Sequence, residues 1–372
     1  QISKGAGVVV AVIDTGVDYN HPDLAAHILL DSNNVVIGQD FVDLDNDPMD
    51  TTNGIDDDQD GDTDEGAGHG THVAGIIALV APEAKIVPIR VLDSEGNGFV
   101  DDVAAAMRWF IDPANVPGDK KIINLSLGVP NVDNIEIIHD VIDEVIEDGN
   151  LPIPVVAAAG NDGLEVVHYP ASEGNVFSVA AVDKNDIAAN FTNSKDVDFA
   201  APGIASNNNG VGIYSTFLNG QYATWAGTSM AAPFVTGLAA LIKSAETNQR
   251  NNNLLENLIE NTADNVDAEN PNVDLGSGRI DMLSALNQVG TAPLDVRKAI
   301  YKTQKQKLIV TARSSAGPTD VLTVQGFGTM IYKPLKNKFT FNLRPVNPMP
   351  AQVTISSSLL GTSVTIDVVP KP

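Results

Sequence analysis

The sequence predicts an α/β protein, a doubly wound, mostly parallel sheet, followed by a small all-β sandwich. Three observations carry that expectation. Five short, largely apolar runs, Val8–Ile13, Ile86–Val91, Ile122–Leu127, Val155–Ala159 and Val176–Val182, have the look of strands buried on both faces. Between several of them lie segments of helical period, His72–Val80, Val100–Phe110 and Ile135–Glu147, and strand–helix alternation puts helices on both sides of a parallel sheet. After Ser284-Ala285-Leu286 the composition changes. Gly290-Thr291-Ala292-Pro293 reads as a linker, and the segments beyond it alternate apolar and polar residues between turn signals. A large domain over residues 1–290 and a β-sandwich over 295–372 are therefore expected.

Taken in order, the first run ends in Ile13-Asp14-Thr15-Gly16, which delivers a carboxylate to the carboxyl edge of a buried strand. Such an aspartate often only caps the next turn. Gly68-His69-Gly70-Thr71-His72 then opens a helix and carries an imidazole on a rigid element, where a lone histidine is as readily structural. The run Val155–Gly160 leads into Asn161, either a turn residue ahead of Asp162-Gly163 or an amide presented at a strand end. Gly227-Thr228-Ser229-Met230-Ala231-Ala232-Pro233 runs into the apolar pattern Phe234–Ile242. Ser229 thus stands at a helix N-terminus among unpaired N–H groups, where a nucleophile attacking a carbonyl would be placed. A helix cap is the plainer alternative. Together these segments supply acid, base and nucleophile in the chain order Asp, His, Ser, one of the orders in which the serine triad is known.

Between the first strand and His69, Asp40–Glu65 holds 12 acids in 26 residues and no Lys or Arg. Asp43, Asp45 and Asp47 alternate, as do Asp56, Asp58, Asp60, Asp62 and Asp64, with Gly61 to turn the chain. So much like charge repels unless a cation neutralises it. Asp56, Asp58, Asp60 and Gly61 match the first half of an EF-hand loop, but Ala67 stands where the closing acid would be. These eight aspartates of the insert, residues 40–66, are expected to bind Ca2+, one ion or two. A bare solvated loop is the alternative, and Mg2+ suits so many protein carboxylates less well.

With 372 residues, 43% of them hydrophobic, the chain can bury a substantial core, and no apolar run reaches membrane-spanning length. Cysteine is absent, which excludes thiol chemistry and a disulfide scaffold but leaves the compartment open. Residues 1–294 carry 45 acids against 11 bases, whereas residues 295–372 carry 3 against 11. The basic part has few clustered aromatics and no reader motif, so no nucleic-acid partner is expected.

VIDTGVD at 12–18, HGTHVAG at 69–75, AAAGN at 157–161 and GTSMAAP at 227–233 together resemble the subtilisin-like serine proteases, the subtilases, over roughly residues 5–290. The resemblance implies a secreted serine endopeptidase acting on proteins or peptides. In it Asp14, His69 and Ser229 are the triad, and Asn161 is the oxyanion-hole amide. Ser126, Leu127 and Gly128 match the strand that pairs with substrate and walls the S1 pocket, and Gly96 and Gly98 match the opposite edge. His168 stands where many subtilases have glycine before Tyr-Pro, so a shallower or more polar pocket is expected. His72 is structural by the same comparison, and the zincin glutamate is lacking. Asp23 matches a ligand of the family's strong calcium site, yet the loop that completes it is missing after His69; calcium is expected in the acidic insert instead. Gln1–Lys4 meets the first strand almost at once, so the expectation is a processed or trimmed chain that has left an inhibitory propeptide and works as a monomer. Two alternatives stay open: a catalytically silent binding module of this fold, and a surface-anchoring role for the β domain.

Overall fold

Strand β1 (Val9–Asp14) is buried along its whole length and lies inside a seven-stranded parallel sheet. The other strands are β2 (Gln39–Asp40), β3 (Lys85–Arg90), β4 (Lys121–Leu125), β5 (Val155–Ala158), β6 (Phe177–Val182) and β7 (Phe199–Pro202), in the order β2-β3-β1-β4-β5-β6-β7. Register sets Val10 beside Ile86 on one side and Ile122 on the other, so apolar side chains stand in rows across the sheet. Both faces are covered, which is why these runs lack a polar side. This computed structural model describes residues 3–130, 136–147, 153–206, 211–245, 252–289, 295–313, 322–333, 338–344, 346, 348–357 and 363–371.

Chain order reverses beside β1. On one side of β1 lie β3 and, at the edge, β2; on the other the chain builds outward through β4 to β7. A crevice opens at the carboxyl ends of the strands at such a switch point. Asp14, Ser126 and Asn161 all lie at or just beyond those ends.

Helices α1 (His69–Val80) and α4 (Thr228–Ala245) pack together on one face, α1 against β1 and α4 across β4 to β7. Helices α2 (Val100–Ile111) and α3 (Glu136–Glu147) cover the other, where Met107, Phe110 and Val141 join Ala11, Ile13 and Ile89 in one core. The expected strands and helices fall within two residues of these bounds, except that α1 begins at His69, three residues before the expected His72. Sequence pattern missed the two-residue β2, the short edge strand β7, the antiparallel hairpin of β8 (Ile213–Phe217) and β9 (Gln221–Trp225), and helices α5 (Asn252–Glu260) and α6 (Met282–Gln288). The first two are too short to show a period, and the hairpin is half-exposed, so neither a continuous apolar run nor a clean alternation marks it.

Two compact units emerge, Gln1–Leu286 and Asn287–Pro372. The expected linker Gly290–Pro293 lies outside the described residues. In the second unit, β10 (Asp295–Lys302), β11 (Lys307–Arg313), β14 (Ile331–Lys333), β15 (Lys338–Leu343) and β18 (Val369–Lys371) form one sheet. A second is built from β12 (Leu322–Val324), β13 (Gly328–Thr329), β16 (Gln352–Ser357) and β17 (Ser363–Asp367). Alternate residues of the first, Leu308, Val310, Phe339 and Phe341, meet Leu322, Val324, Val353 and Ile355 of the second in one core. That is a β-sandwich. Among the described residues no helix is long and apolar enough to cross a membrane.

Candidate active site

Asp14 ends β1 with its carboxylate fully buried, and His69 begins α1. Their Oδ1 and Nδ1 atoms lie 2.7 Å apart. The pair is held from both sides, since Asp14 Oδ1 also accepts the Thr15 N–H at 2.8 Å and Thr15 Oγ1 accepts the Gly70 N–H at 3.0 Å. Glycine is required at 70, because a Cβ there would sit 2.1 Å from the Gly16 carbonyl oxygen. Only without it can the first turn of α1 close onto the end of β1. Burial disfavours the charged imidazole, but the Asp14 carboxylate, its hydrogen bond and the more distant Asp50 outweigh this and hold the His69 pKa above the ordinary histidine value.

His72, one turn on, is treated differently. Its ring is buried, its Nε2 lies 3.0 Å from the Ile213 carbonyl, and burial pushes its pKa down to about 4. It stacks on Trp225 at 5.7 Å, and Trp225 also lies 5.5 Å from the His69 ring. The two histidines share Trp225 but differ in hydrogen-bond partner, a carboxylate for His69 and a backbone carbonyl for His72.

Ser229 is the second residue of α4. Pro233, four residues on, has no N–H to give the Ser229 carbonyl. That carbonyl instead accepts Ser126 Oγ–H at 2.8 Å. Ser126 Oγ accepts Asn124 Nδ2–H at 3.0 Å, and Asn124 Oδ1 accepts Thr236 Oγ1–H at 2.7 Å. A buried polar chain thus pins the serine turn to β4 and to the next turns of α4. Ser229 Oγ itself donates to the Ser126 carbonyl at 3.0 Å rather than to His69.

Asn161 follows β5, and its Oδ1 accepts both the N–H (2.8 Å) and the Oγ1–H (3.0 Å) of Thr228. Thr228 Oγ1 in turn accepts the Gly160 N–H at 3.1 Å. With the amide oxygen so engaged, the amide NH2 is left for the cleft. Thr228, the residue that orients it, was not foreseen; its place inside GTSMAAP was the only signal.

Of these side chains, those of Thr15, His69, Ser126, Asn161, Thr228 and Ser229 open on one cleft of about 510 Å³. His69, Ser229 and Asn161 line it with Ser126, Leu127 and Gly128 on one wall and Gly96 and Gly98 on another. Glycine at 98 is demanded by the chain's own backbone, since a Cβ would lie 2.2 Å from the Val91 carbonyl oxygen. His168 also lines the cleft, its Nε2 paired with the Asp162 carboxylate.

The model of the Subtilase family matches residues 5–279. The chain belongs to the subtilase family. It is 40% identical over 278 residues to the thermophilic serine proteinase of Bacillus sp. (strain AK1), an overlap of 72% of this chain and 59% of that protein. To thermitase of Thermoactinomyces vulgaris it is 38% identical over 277 residues, 72% of this chain and 84% of that protein. Among solved structures, a protease from Pseudoalteromonas arctica PAMC 21717 superposes with a TM-score of 0.65 at 31% identity, over 77% of this chain and 91% of that one. This subtilase therefore spans less than two thirds of the first relative's length.

The acidic insert of this subtilase divides its carboxylates among different tasks. Asp43, Asp45 and Asp47, expected to act together, do not come together. Asp43 and the buried Asp40 pair with Arg90, Asp47 accepts from the Tyr19 hydroxyl at 2.6 Å, and Asp45 accepts the Asp47 N–H at 2.8 Å. A cation already present in the sheet, Arg90, thus offsets part of the charge of this half. Asp64 spends both oxygens on the N–H groups of Asn53 and Gly54, and Asp62 lies outside the cluster that remains. Asp56, Asp58 and Asp60 do gather, with one oxygen from each within 4.8 Å of the others. An all-oxygen set of that size fits a hard cation. Asp58 Oδ2 also accepts Asn97 Nδ2–H at 3.2 Å, and Glu95 Oε1 accepts the Asp57 N–H at 3.3 Å, so the loop is fastened to the segment carrying Gly96 and Gly98. Asp23 accepts the Tyr222 hydroxyl.

Proposed function

We propose that this subtilase hydrolyses peptide bonds of proteins or peptides through an acyl-enzyme formed on Ser229. The observation that carries the reading is the Asp14–His69 pair, 2.7 Å apart, beside a cleft shared with Ser229 and Asn161. Asp14 occupies Nδ1, so Nε2 is the nitrogen left to act as base. A rotation about the Ser229 Cα–Cβ bond carries Oγ from the Ser126 carbonyl toward the imidazole; such rotations are fast, and these hydrogen bonds often form fully only with substrate bound. His69 takes the Ser229 proton as Oγ attacks the carbonyl carbon. It then gives that proton to the leaving amine, and water repeats the sequence to free the acid. Asn161 Nδ2–H and the Ser229 backbone N–H, at the positive end of α4, receive the oxyanion. Ser126–Gly128 and Gly96–Gly98 hold the extended peptide between them, and His168 with Asp162 makes the S1 end polar.

Asp56, Asp58 and Asp60 would hold Ca2+ and supply structural charge balance, away from the reacting bonds. Millimolar calcium outside the cell suits so exposed a site, which supports a secreted enzyme; that it works as a monomer matured from a propeptide form is proposed from the family resemblance alone. Catalysis is assigned to residues 1–290, and the β-sandwich of residues 295–372 to an accessory role. A silent binding module is disfavoured because acid, base, serine and amide are all present. The test is labelling with a fluorophosphonate. Wild-type protein is expected to label at Ser229 and cleave casein, with Ser229→Ala doing neither; an unlabelled, inactive wild type would establish the silent module.

A further inference from the structure

We propose that Asp50 is a positioning residue for hydrolysis, clamping the turn that bears His69 and adding its charge to the field at that ring. The proposal rests on His69 being the base. Helix α1 begins at a glycine cap, Gly68, with no side chain of its own to offer and no acid in its first turn. Asp50 supplies what is missing. Its Oδ1 accepts the Gly68 N–H at 3.0 Å, and its Oδ2 accepts the Thr71 N–H at 3.2 Å and Thr71 Oγ1–H at 2.7 Å. These two residues bracket His69, so one carboxylate grips the backbone on either side of the base. It is itself buried, 3% exposed.

The same segment holds the other half of the dyad. The Pro48 carbonyl accepts the Val17 N–H at 3.0 Å, in the turn that follows Asp14, and Thr71 Oγ1 accepts the Asp18 N–H at 2.9 Å. Pro48–Asp50 is thus a brace between the end of β1 and the start of α1. The charged and titratable groups around His69 are Asp14 from β1, Asp50 from the brace and His72 from α1 itself; β9 contributes the neutral Trp225, and the cleft wall adds Asp162 and His168. Among these groups Asp50 both hydrogen-bonds the turn and favours the charged imidazole through its own charge. Burial pushes its carboxyl up to about 7, with the Thr71 and Gly68 donors working the other way. An anionic Asp50 favours the imidazolium that forms when His69 takes the serine proton.

The experiment compares wild type, Asp50→Asn, Thr71→Val, Thr71→Ser and Ser229→Ala, with rates expressed per fluorophosphonate-titrated site. Asparagine at 50 keeps the size but removes the charge and one acceptor. It is expected to lower kcat roughly 10-fold with KM nearly unchanged, since a loosened base loses part of its positional advantage. The acid limb of the pH profile should move down by only roughly a few tenths of a unit, because a carboxyl pushed up to about 7 is largely protonated where that limb lies. Thr71→Val leaves the carboxylate but removes its shortest donor. It should shift kcat and limb in the same directions by less, with Thr71→Ser restoring both. Should Asp50→Asn not yield soluble protein, the Thr71 pair decides the matter. Asp50→Asn, or both Thr71 variants, at wild-type kcat and limb would overturn the proposal while the dead Ser229→Ala kept the triad reading intact. Turnover by Ser229→Ala would overturn the triad reading and this proposal with it.

Discussion

Asp14 Oδ1 and His69 Nδ1 lie 2.7 Å apart across the junction of β1 and α1, with the carboxylate wholly shielded from water and the imidazole at the cleft. Because the pair raises the His69 pKa, the neutral base accumulates only at higher pH than for a free histidine. The acid limb of kcat/KM is expected above the ordinary histidine value of about 6.5. In Asp14→Asn that limb should fall and kcat should drop by on the order of 10⁴-fold, the size established for this substitution in a related serine triad. Initial rates from pH 5 to 9 check both.

Removing the Asn161 amide should act on kcat and spare KM. For such a donor in subtilisin the established loss is on the order of 10²–10³-fold, and we expect Asn161→Ala to fall in that range. Thr228→Val, which frees the amide oxygen that Thr228 now holds at 2.8 and 3.0 Å, should show a smaller loss of the same kind. Steady-state kinetics on a chromogenic peptide separate the two constants.

Chelation should lower the melting temperature. An ion bound only by the folded state adds about 2.7 kcal/mol when present at a hundred times its dissociation constant. Scanning calorimetry in EDTA and in excess calcium measures this, and Asp56→Asn with Asp58→Asn should abolish the difference. An identical melt in both buffers would remove calcium from the account. Variants at Asp43 or Asp45 should leave the calcium response unchanged.

Acid should weaken the fold through His72. Its folded pKa, about 4, lies below the ordinary histidine value, so the unfolded chain takes up the proton first. The contribution is complete above about pH 6.5 and is lost as pH falls toward 4, to a total of roughly 3 kcal/mol. Urea melts of wild type and His72→Gln across that window should differ in slope, with the variant flatter.

Thr236→Val keeps the shape of a fully buried side chain but strands Asn124 Oδ1, which now accepts a 2.7 Å hydrogen bond. An unsatisfied buried acceptor costs about 1–3 kcal/mol. Since Asn124 also donates to Ser126 Oγ, which donates to the Ser229 carbonyl, kcat should fall along with stability. Denaturant melts and active-site titration together distinguish loss of folded protein from loss of turnover.

What could be read before folding was what short stretches encode. Strands buried on both faces must be apolar throughout, so β1, β3, β4, β5 and β6 announced themselves, and with them the sheet whose carboxyl ends carry the site. Asp14, His69, Asn161 and Ser229 were legible because each sits in a turn of small residues that the backbone needs for close approach, as Gly70 against Gly16 shows. Partnerships were not legible. Alternating acids at 43, 45 and 47 look the same in sequence as those at 56, 58 and 60, and only folding puts Asp43 on Arg90, Asp47 on the Tyr19 hydroxyl and Asp45 on the backbone of its own loop. The grip of Asp50 on Gly68 and Thr71, the hold of Thr228 on Asn161 and the resting bond of Ser229 to Ser126 likewise join residues from distant stretches. Periodicity records whether a side chain is buried, a property of its own neighbourhood; which atom it meets there depends on how the sheet brings separate segments to one edge.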